Sequence, residues 1–285
     1  MGLRIQTNID AFNTHRQLQI SSNAASASME KLSSGYRINR AADDAAGLGI
    51  SEKMRAQIGG LAQAQRNAQD GISLVQTAEG SLDEVHSMLQ RVRDLKVQFN
   101  SGTLNSDDQD AIASEVSQIG QELGNIASQT SFNGNSLLNG KTFSFQVGAN
   151  DGETISTTAV TLSAGIGTAG TGGLSEISTL ASAAAAKTAL TSGSLSTIDT
   201  VDDAIKNIST ARASYGAIEN RLNHRLNNLA TYQENLTSSE SRIRDVDMAA
   251  EMTNYTKENI LQQAGTSMLA QANQAPQTVL SLLRG

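Results

Sequence analysis

From residue 44 to residue 99 apolar side chains recur at helical spacing without a break: Met54, Ile58, Leu61, Ala68, Ile72, Val75, Ala78, Leu82, Val85, Leu89, Val92, Leu95 and Phe99. That spacing is one face of an α-helix. A helix of such length would measure about 84 Å at roughly 1.5 Å per residue. A compact globule of 285 residues would be only about 50 Å across, from a radius of gyration near 19 Å. The run therefore predicts an elongated molecule. Only one proline, Pro276, occurs in the whole chain, against about fourteen for an average composition, so few obligatory helix breaks exist. Gly47, Gly49, Gly59, Gly60, Gly71 and Gly80 each cost a helix interior about 0.8–1 kcal/mol. Packing must hold this helix together.

Two further runs share the pattern. One opens at Ser106-Asp107-Asp108-Gln109, which reads as a capping box, and continues through Ile112, Val116, Ile119, Leu123 and Ile126 to Phe132-Asn133-Gly134. The other places Val201, Ile205, Ile208, Ala211, Tyr215, Ile218, Leu222, Leu226, Leu229, Tyr232 and Leu236 on one face. Amphipathic helices of this kind bury their stripes against one another. The terminal segments carry narrower stripes on polar helices. Residues 3–33 offer Ile5, Ile9, Phe12, Leu18 and Ile20; residues 246–283 offer Leu261, Ala264, Met268, Val279 and Leu282. Such stripes bury too little alone to offset ordering entropy, so the termini are expected to fold only against each other and against other copies. Pro276 is expected to kink the second of them slightly.

The chain is thus expected to be mainly α: an elongated antiparallel coiled-coil bundle with a small β-hairpin insertion and paired terminal helices. Residues 1–42 with 245–285 form the terminal pair, and 43–244 the bundle. Within the bundle, 140–198 is a surface insertion. It opens with Phe143, Phe145 and Val147 at period two, then Asp151-Gly152, a hairpin signal. Of residues 151–200, 35 of 50 are Ser, Thr, Gly or Ala, which predicts loop with a short helix near 179–190 and sites where O-linked sugars could attach.

Composition excludes several functions. The chain has 21 Lys and Arg against 28 Asp and Glu, a net charge of −7, the wrong sign for a phosphate backbone. It has no cysteine and no tryptophan, hence no disulfides or thiolate chemistry. No apolar stretch is long enough to span a membrane, and MGLRIQTNID does not read as a Sec-type signal. Gly165 to Gly170 satisfies GxGxxG literally, without the strand, helix and acid that nucleotide binding needs. Asn139-Gly140-Lys141-Thr142 likewise precedes a strand rather than a helix. His15, His86 and His224 fall on separate helices. No enzyme, cofactor or metal is expected.

What remains is association chemistry. Alternating charges cluster at Arg37, Arg40, Asp43 and Asp44, and again at Arg242, Arg244, Asp245 and Asp247. They are either a solvated surface of little net worth or contacts that fix register between copies.

These two segments carry a resemblance. Lys31 to Gln57, KLSSGYRINRAADDAAGLGISEKMRAQ, is similar to the amino-terminal signature of the bacterial flagellins, and Arg242 to Leu283, beginning RIRDVDMAAEM, to their carboxy-terminal one. The resemblance implies a subunit that stacks helically into the flagellar filament for motility, in a short form without large outer domains. A hook–filament junction protein is the alternative. It implies export by the type III flagellar route without a cleaved signal, an export chaperone on a surface including Ile260, Leu261, Met268, Leu269, Val279 and Leu280, and filament cap and junction proteins as partners. It also implies recognition by a Toll-like receptor through Arg91, Leu95 and Glu115, with Lys96 departing from the motif's usual small apolar residue. A plant receptor would read the stretch from Lys31 to Asp44.

Overall fold

A computed structural model describes residues 8–158, 160, 182–193, 195 and 197–284, the last ten as backbone. The chain is mainly α. Helices α1 (Ile9–Ser34), α2 (Ala45–Phe99) and α3 (Ser106–Gln129) come first. Two short antiparallel hairpins follow, β1 (Ser131–Phe132) with β2 (Asn135–Ser136), and β3 (Ser144–Gln146) with β4 (Thr154–Ser156). Helices α4 (Ala183–Ser192), α5 (Ile198–Arg244) and α6 (Met248–Arg284) complete the chain. It divides into two compact units, Met1–Gln57 with Glu234–Gly285, and Ile58–Gln233.

The unit Ile58–Gln233 is organised by one seam. Along α2 a buried seam runs through Leu61, Ala64, Ala68, Gly71, Val75, Ala78, Leu82, Val85, Leu89, Val92, Lys96 and Phe99, intervals of three and four in strict alternation, with Leu74 and Leu95 buried beside it. This is a heptad repeat, the signature of supercoiled helices. The seam of α5 follows the same rule through Val201, Ala204, Ile208, Ala211, Tyr215, Ile218, Leu222, Arg225 and Leu229. That of α3 runs Ala113, Val116, Gly120, Leu123 and Ala127. Side-chain rungs fix the directions. Gln65 donates to Gln233 at 2.9 Å, Gln76 to Glu219 at 2.8 Å, Arg212 pairs with Glu79 at 2.8 Å, and Arg93 pairs with Asp202. As α2 ascends, α5 descends. Arg91–Glu115 at 2.6 Å and Thr130 to Ser81 at 3.2 Å set α3 antiparallel to α2 as well.

Lys96 occupies a seam position although it is charged, and it is only 2% exposed. Its ammonium donates to the Leu190 carbonyl at 2.6 Å in the last turn of α4, and lies 5.5 Å from the Phe99 ring centroid. The site thus uses the negative end of a helix as the counter-dipole. Burial pushes the ammonium below the usual lysine value of 10.5. The unfolded chain keeps this proton to higher pH than the folded chain does. Stability therefore rises with pH between the lowered folded value and the ordinary one. Lys96→Met is expected to stabilise the unit at neutral pH by about 1 kcal/mol or more. That advantage should shrink as pH climbs toward 10.5, read as urea midpoints of both proteins across the range.

The predicted hairpin is present, with Ser144 opposite Ser156, Phe145 opposite Ile155 and Gln146 opposite Thr154. It lies against the bundle because α2 is glycine where it approaches: a Cβ on Gly71 would stand 3.1 Å from the Phe145 ring. Asn67 donates to the Gln146 carbonyl at 3.1 Å and Arg225 to that of Val147 at 2.8 Å, which explains an arginine in the α5 seam. The second hairpin corrects an expectation. Asn133 and Gly134, read as a helix stop, have φ of 48° and 77° and form a two-residue turn of the left-handed kind that hairpins favour. Another correction concerns α3, whose cap is Asn105 rather than Ser106. Asn105 and Asp108 bond reciprocally to each other's backbone N–H. The short insertion helix begins at Ala183; residues 179–181, like Gly165 to Gly170, lie outside the described residues. Strand β3, not a helix, follows Lys141.

In the other unit α1 and α6 are antiparallel. Asn8 donates to the Ala272 carbonyl at 2.7 Å, Leu18 faces Gly265, and Tyr36 bridges to Asp245. Ser21, Ala25 and Ser28 are the buried residues of α1. Small side chains let the two backbones approach closely while burying little area. The boundaries between units fall inside α2, after Gln57, and inside α5, after Gln233, and residues 35–57 are tied to the end of α5.

Candidate assembly interface

That tie is built from backbone and from arginine. Gly35, with φ of 75°, ends α1 in the left-handed conformation that glycine adopts freely. The chain then pairs with the end of α5: the Arg37 N–H donates to the Arg244 carbonyl at 2.7 Å, and the Val246 N–H to that of Gly35 at 3.0 Å. The Arg37 guanidinium donates to the Ile243 carbonyl at 2.7 Å. Arg244 pairs with Glu52 at 2.7 Å and stacks 4.9 Å from the Tyr36 ring centroid, with Arg55 at 6.0 Å on the same ring. Arg55 also lies 3.5 Å from Glu240. Cation–π contacts of this kind contribute about 0.5–2 kcal/mol each. Sequence reasoning passed over Tyr36. The available signal was one aromatic residue set between glycine and arginine.

Three acidic residues of the two charged segments, Asp43, Asp44 and Asp247, serve the chain's own backbone. Asp43 accepts from the N–H groups of Arg40 at 2.9 Å and Asn39 at 3.0 Å, and these bonds hold its carboxyl below the usual range. Asp44 accepts from the Gly47 N–H at 2.8 Å and so caps α2. Gly47 must be glycine, since a Cβ there would stand 2.7 Å from Ile38 Cδ1. Asp247 caps α6 by accepting from Ala249 and Ala250. Asp44→Ala should destabilise the start of α2 by about 1 kcal/mol, seen as faster amide exchange over its first turns. Arg40 pairs with Glu30 at 2.9 Å, Arg242 reaches Ser239 at 3.4 Å, and the side chains of Arg40, Arg242 and Asp245 are exposed.

Large apolar side chains on the terminal pair point outward. Phe12 is 69% exposed and Ile260 60%, and Ile9, Ile20, Met29, Met248, Met252, Leu261 and Met268 are also exposed. Ala264 is exposed too. The stripe expected on α1 is therefore split: Leu18 meets Gly265 of α6, while Ile9, Phe12 and Ile20 face out. Ile5 lies outside the described residues, as do the side chains of Val279 and Leu282. Met252, Thr253, Thr256, Lys257 and Ile260 line one open groove. Asp10, Asn13, Thr14, Met268, Gln271 and Ala272 line another. Large apolar side chains left this exposed on two paired helices make them the candidate interaction surface.

On the bundle, Arg91 and Glu115 are joined at 2.6 Å and part-exposed, whereas Leu95 is 2% exposed. The structure brings the first two together and sets the third in the core. No helix among the described residues is long and apolar enough to cross a membrane.

Comparison with known proteins agrees with this architecture. Residues 5–142 match the model of the bacterial flagellin N-terminal helical region, and residues 198–283 that of the C-terminal helical region. A flagellin of Halalkalibacterium halodurans is 50% identical over 98% of this chain and 99% of its own. A Bacillus subtilis flagellin is 48% identical over 99% of this chain and all of its own. The flagellar filament 33 kDa core protein of Treponema phagedenis is 45% identical over 98% and 99% respectively.

Proposed function

We propose, from the premise that this chain belongs to the bacterial flagellin family and is a structural subunit of a flagellar filament, that it polymerises through the outward faces of α1 and α6, that the filament serves motility, and that the subunit leaves the cell by the type III flagellar route. The observation that carries the reading is the exposure of Ile9, Phe12, Ile260, Leu261 and Met268 on a helix pair in which the buried residues of α1 are only Ser21, Ala25 and Ser28. Head-to-tail repetition of a contact that does not close yields a helical polymer. The exposed charges Arg40, Arg242 and Asp245 set register between copies, while Arg37, Asp43, Asp44, Arg244 and Asp247 hold the connection that presents them.

The same apolar face, at Ile260, Leu261, Met268 and Leu269, is where an export chaperone would sit before assembly, and exchange of that partner for neighbouring copies is the sense of the exposure. Cap and junction proteins would meet the same faces at the ends of the polymer. A Toll-like receptor would grip the Arg91–Glu115 pair, with Leu95 contributing as the support beneath it. The test is electron microscopy of concentrated full-length protein seeded with short filament fragments. Elongating filaments are expected; a protein that stays monomeric, or that binds fragment ends without elongating, overturns the reading.

A further inference from the structure

Six methionines lie among the described residues, and they are unevenly placed. Met29, Met248, Met252 and Met268 are 51%, 50%, 49% and 54% exposed, all on α1 or α6. Met54 is half-buried. Met88, on α2, packs against the bundle core. Met252 and Met268 sit in the two open grooves of the terminal helices, each flanked by polar residues that admit water, Thr253, Thr256 and Lys257 at one, Asp10, Asn13 and Gln271 at the other.

We infer that Met29, Met248, Met252 and Met268 are a peroxide-reactive modification site, and that their oxidation blocks assembly of the free subunit. The inference rests on the assembly face proposed above. A methionine sulfur attacks one oxygen of a hydroperoxide; the S–O bond forms as the O–O bond breaks, sulfur loses two electrons, and the remaining oxygen leaves as water or alcohol. Sulfoxide is polar and chiral where the thioether was apolar, and it disrupts methionine-rich contacts. Reactivity follows exposure, so the same sulfurs that make the face adhesive leave it open to oxidant until neighbours cover it. None of the four is among the buried residues of the pair, which on α1 are Ser21, Ala25 and Ser28. Oxidation therefore spares the fold and acts on association. Two stereospecific reductases reverse it.

The test treats full-length protein, free and as filaments, with hydrogen peroxide, and follows each methionine by peptide mass. In the free chain the four are expected to oxidise several-fold faster than Met88, and in filaments that difference should disappear. The oxidised chain should need at least about tenfold more protein to polymerise, a factor equivalent to about 1.4 kcal/mol, and methionine sulfoxide reductases A and B together should restore it. A variant with leucine at all four positions should assemble before and after peroxide alike. Equal rates at Met88, an unchanged assembly threshold after oxidation, or a leucine variant that assembles yet still fails after peroxide would each overturn the inference. Should the leucine variant not assemble untreated, the rate contrast and the reductase rescue decide instead. If untreated wild-type protein forms no filaments, it is the assembly reading that fails, and the rate contrast still reports on the site.

Discussion

Removing residues 1–33, or residues 246–285, is expected to abolish polymerisation and to leave the bundle helical. Helix α1 has 26 residues, and Ser21, Ala25 and Ser28 are its buried ones. Ordering each residue costs about 1–2 kcal/mol of backbone entropy, and burying a hydroxymethyl or methyl group offsets little of it. The missing apolar area is on the outside: Ile9, Phe12, Ile260 and Met268 are more than half exposed, and covering the remainder would contribute about 1–2 kcal/mol each. Neither helix has its full set of partners within one chain, and neither truncation leaves a pair to present that surface. Circular dichroism should report the loss of the deleted helix and its partner's order only, while sedimentation and electron microscopy show no polymer. Filaments from either truncated chain would refute the account.

Leu89→Ala should lower the stability of the Ile58–Gln233 unit by about 3–5 kcal/mol, the range for deleting a fully enclosed leucine that its surroundings cannot collapse around. Leu89 is 0% exposed, and Leu82, Val85 and Val92 beside it on the α2 seam are equally enclosed. Urea unfolding followed by circular dichroism measures this directly, as a lower midpoint with an unchanged slope. Leu261→Ala is the informative contrast. That side chain is 43% exposed, so its loss should change stability by no more than about 0.5 kcal/mol while raising the protein concentration needed for assembly. A Leu89→Ala midpoint within error of wild type would mean the seam is not what holds the unit.

Much of this was legible in the chain itself, for physical reasons. A run of alternating three- and four-residue intervals has no competing interpretation once prolines are absent, so α2 could be placed nearly to the residue, and α3 and α5 to within a few turns. The β3–β4 hairpin was marked by Asp151-Gly152, a pair that tolerates the required backbone. Two kinds of information were hidden. One is any residue whose chemistry contradicts its position: Lys96 lies at seam spacing from Val92 and Phe99, but a cation there makes sense only once the Leu190 carbonyl is in place. The other is division of labour on a helix. Ser21, Ala25 and Ser28 against Ile9, Phe12 and Ile20 are two faces of α1, and which one meets α6 follows from a close approach no periodicity reports. The charged segments were ambiguous for a related reason. Asp43, Asp44 and Asp247 are consumed locally by backbone N–H groups, and short-range bonds of that sort look the same in sequence as surface charge.

The unbroken heptad alternation from Leu61 to Phe99 also governs how genes for such chains can change in length. One codon inserted within that stretch would turn every later side chain by about 100° around the axis, swinging Glu84 or Arg91 inward. Seven codons would restore the phase, but α5 descends alongside and its ladder of pairs, from Gln233 to Asp202, would then be out of step unless it lengthened equally. Growth or shrinkage of the two strands of this bundle must come in matched blocks of seven, whereas the loop segments answer to no such arithmetic.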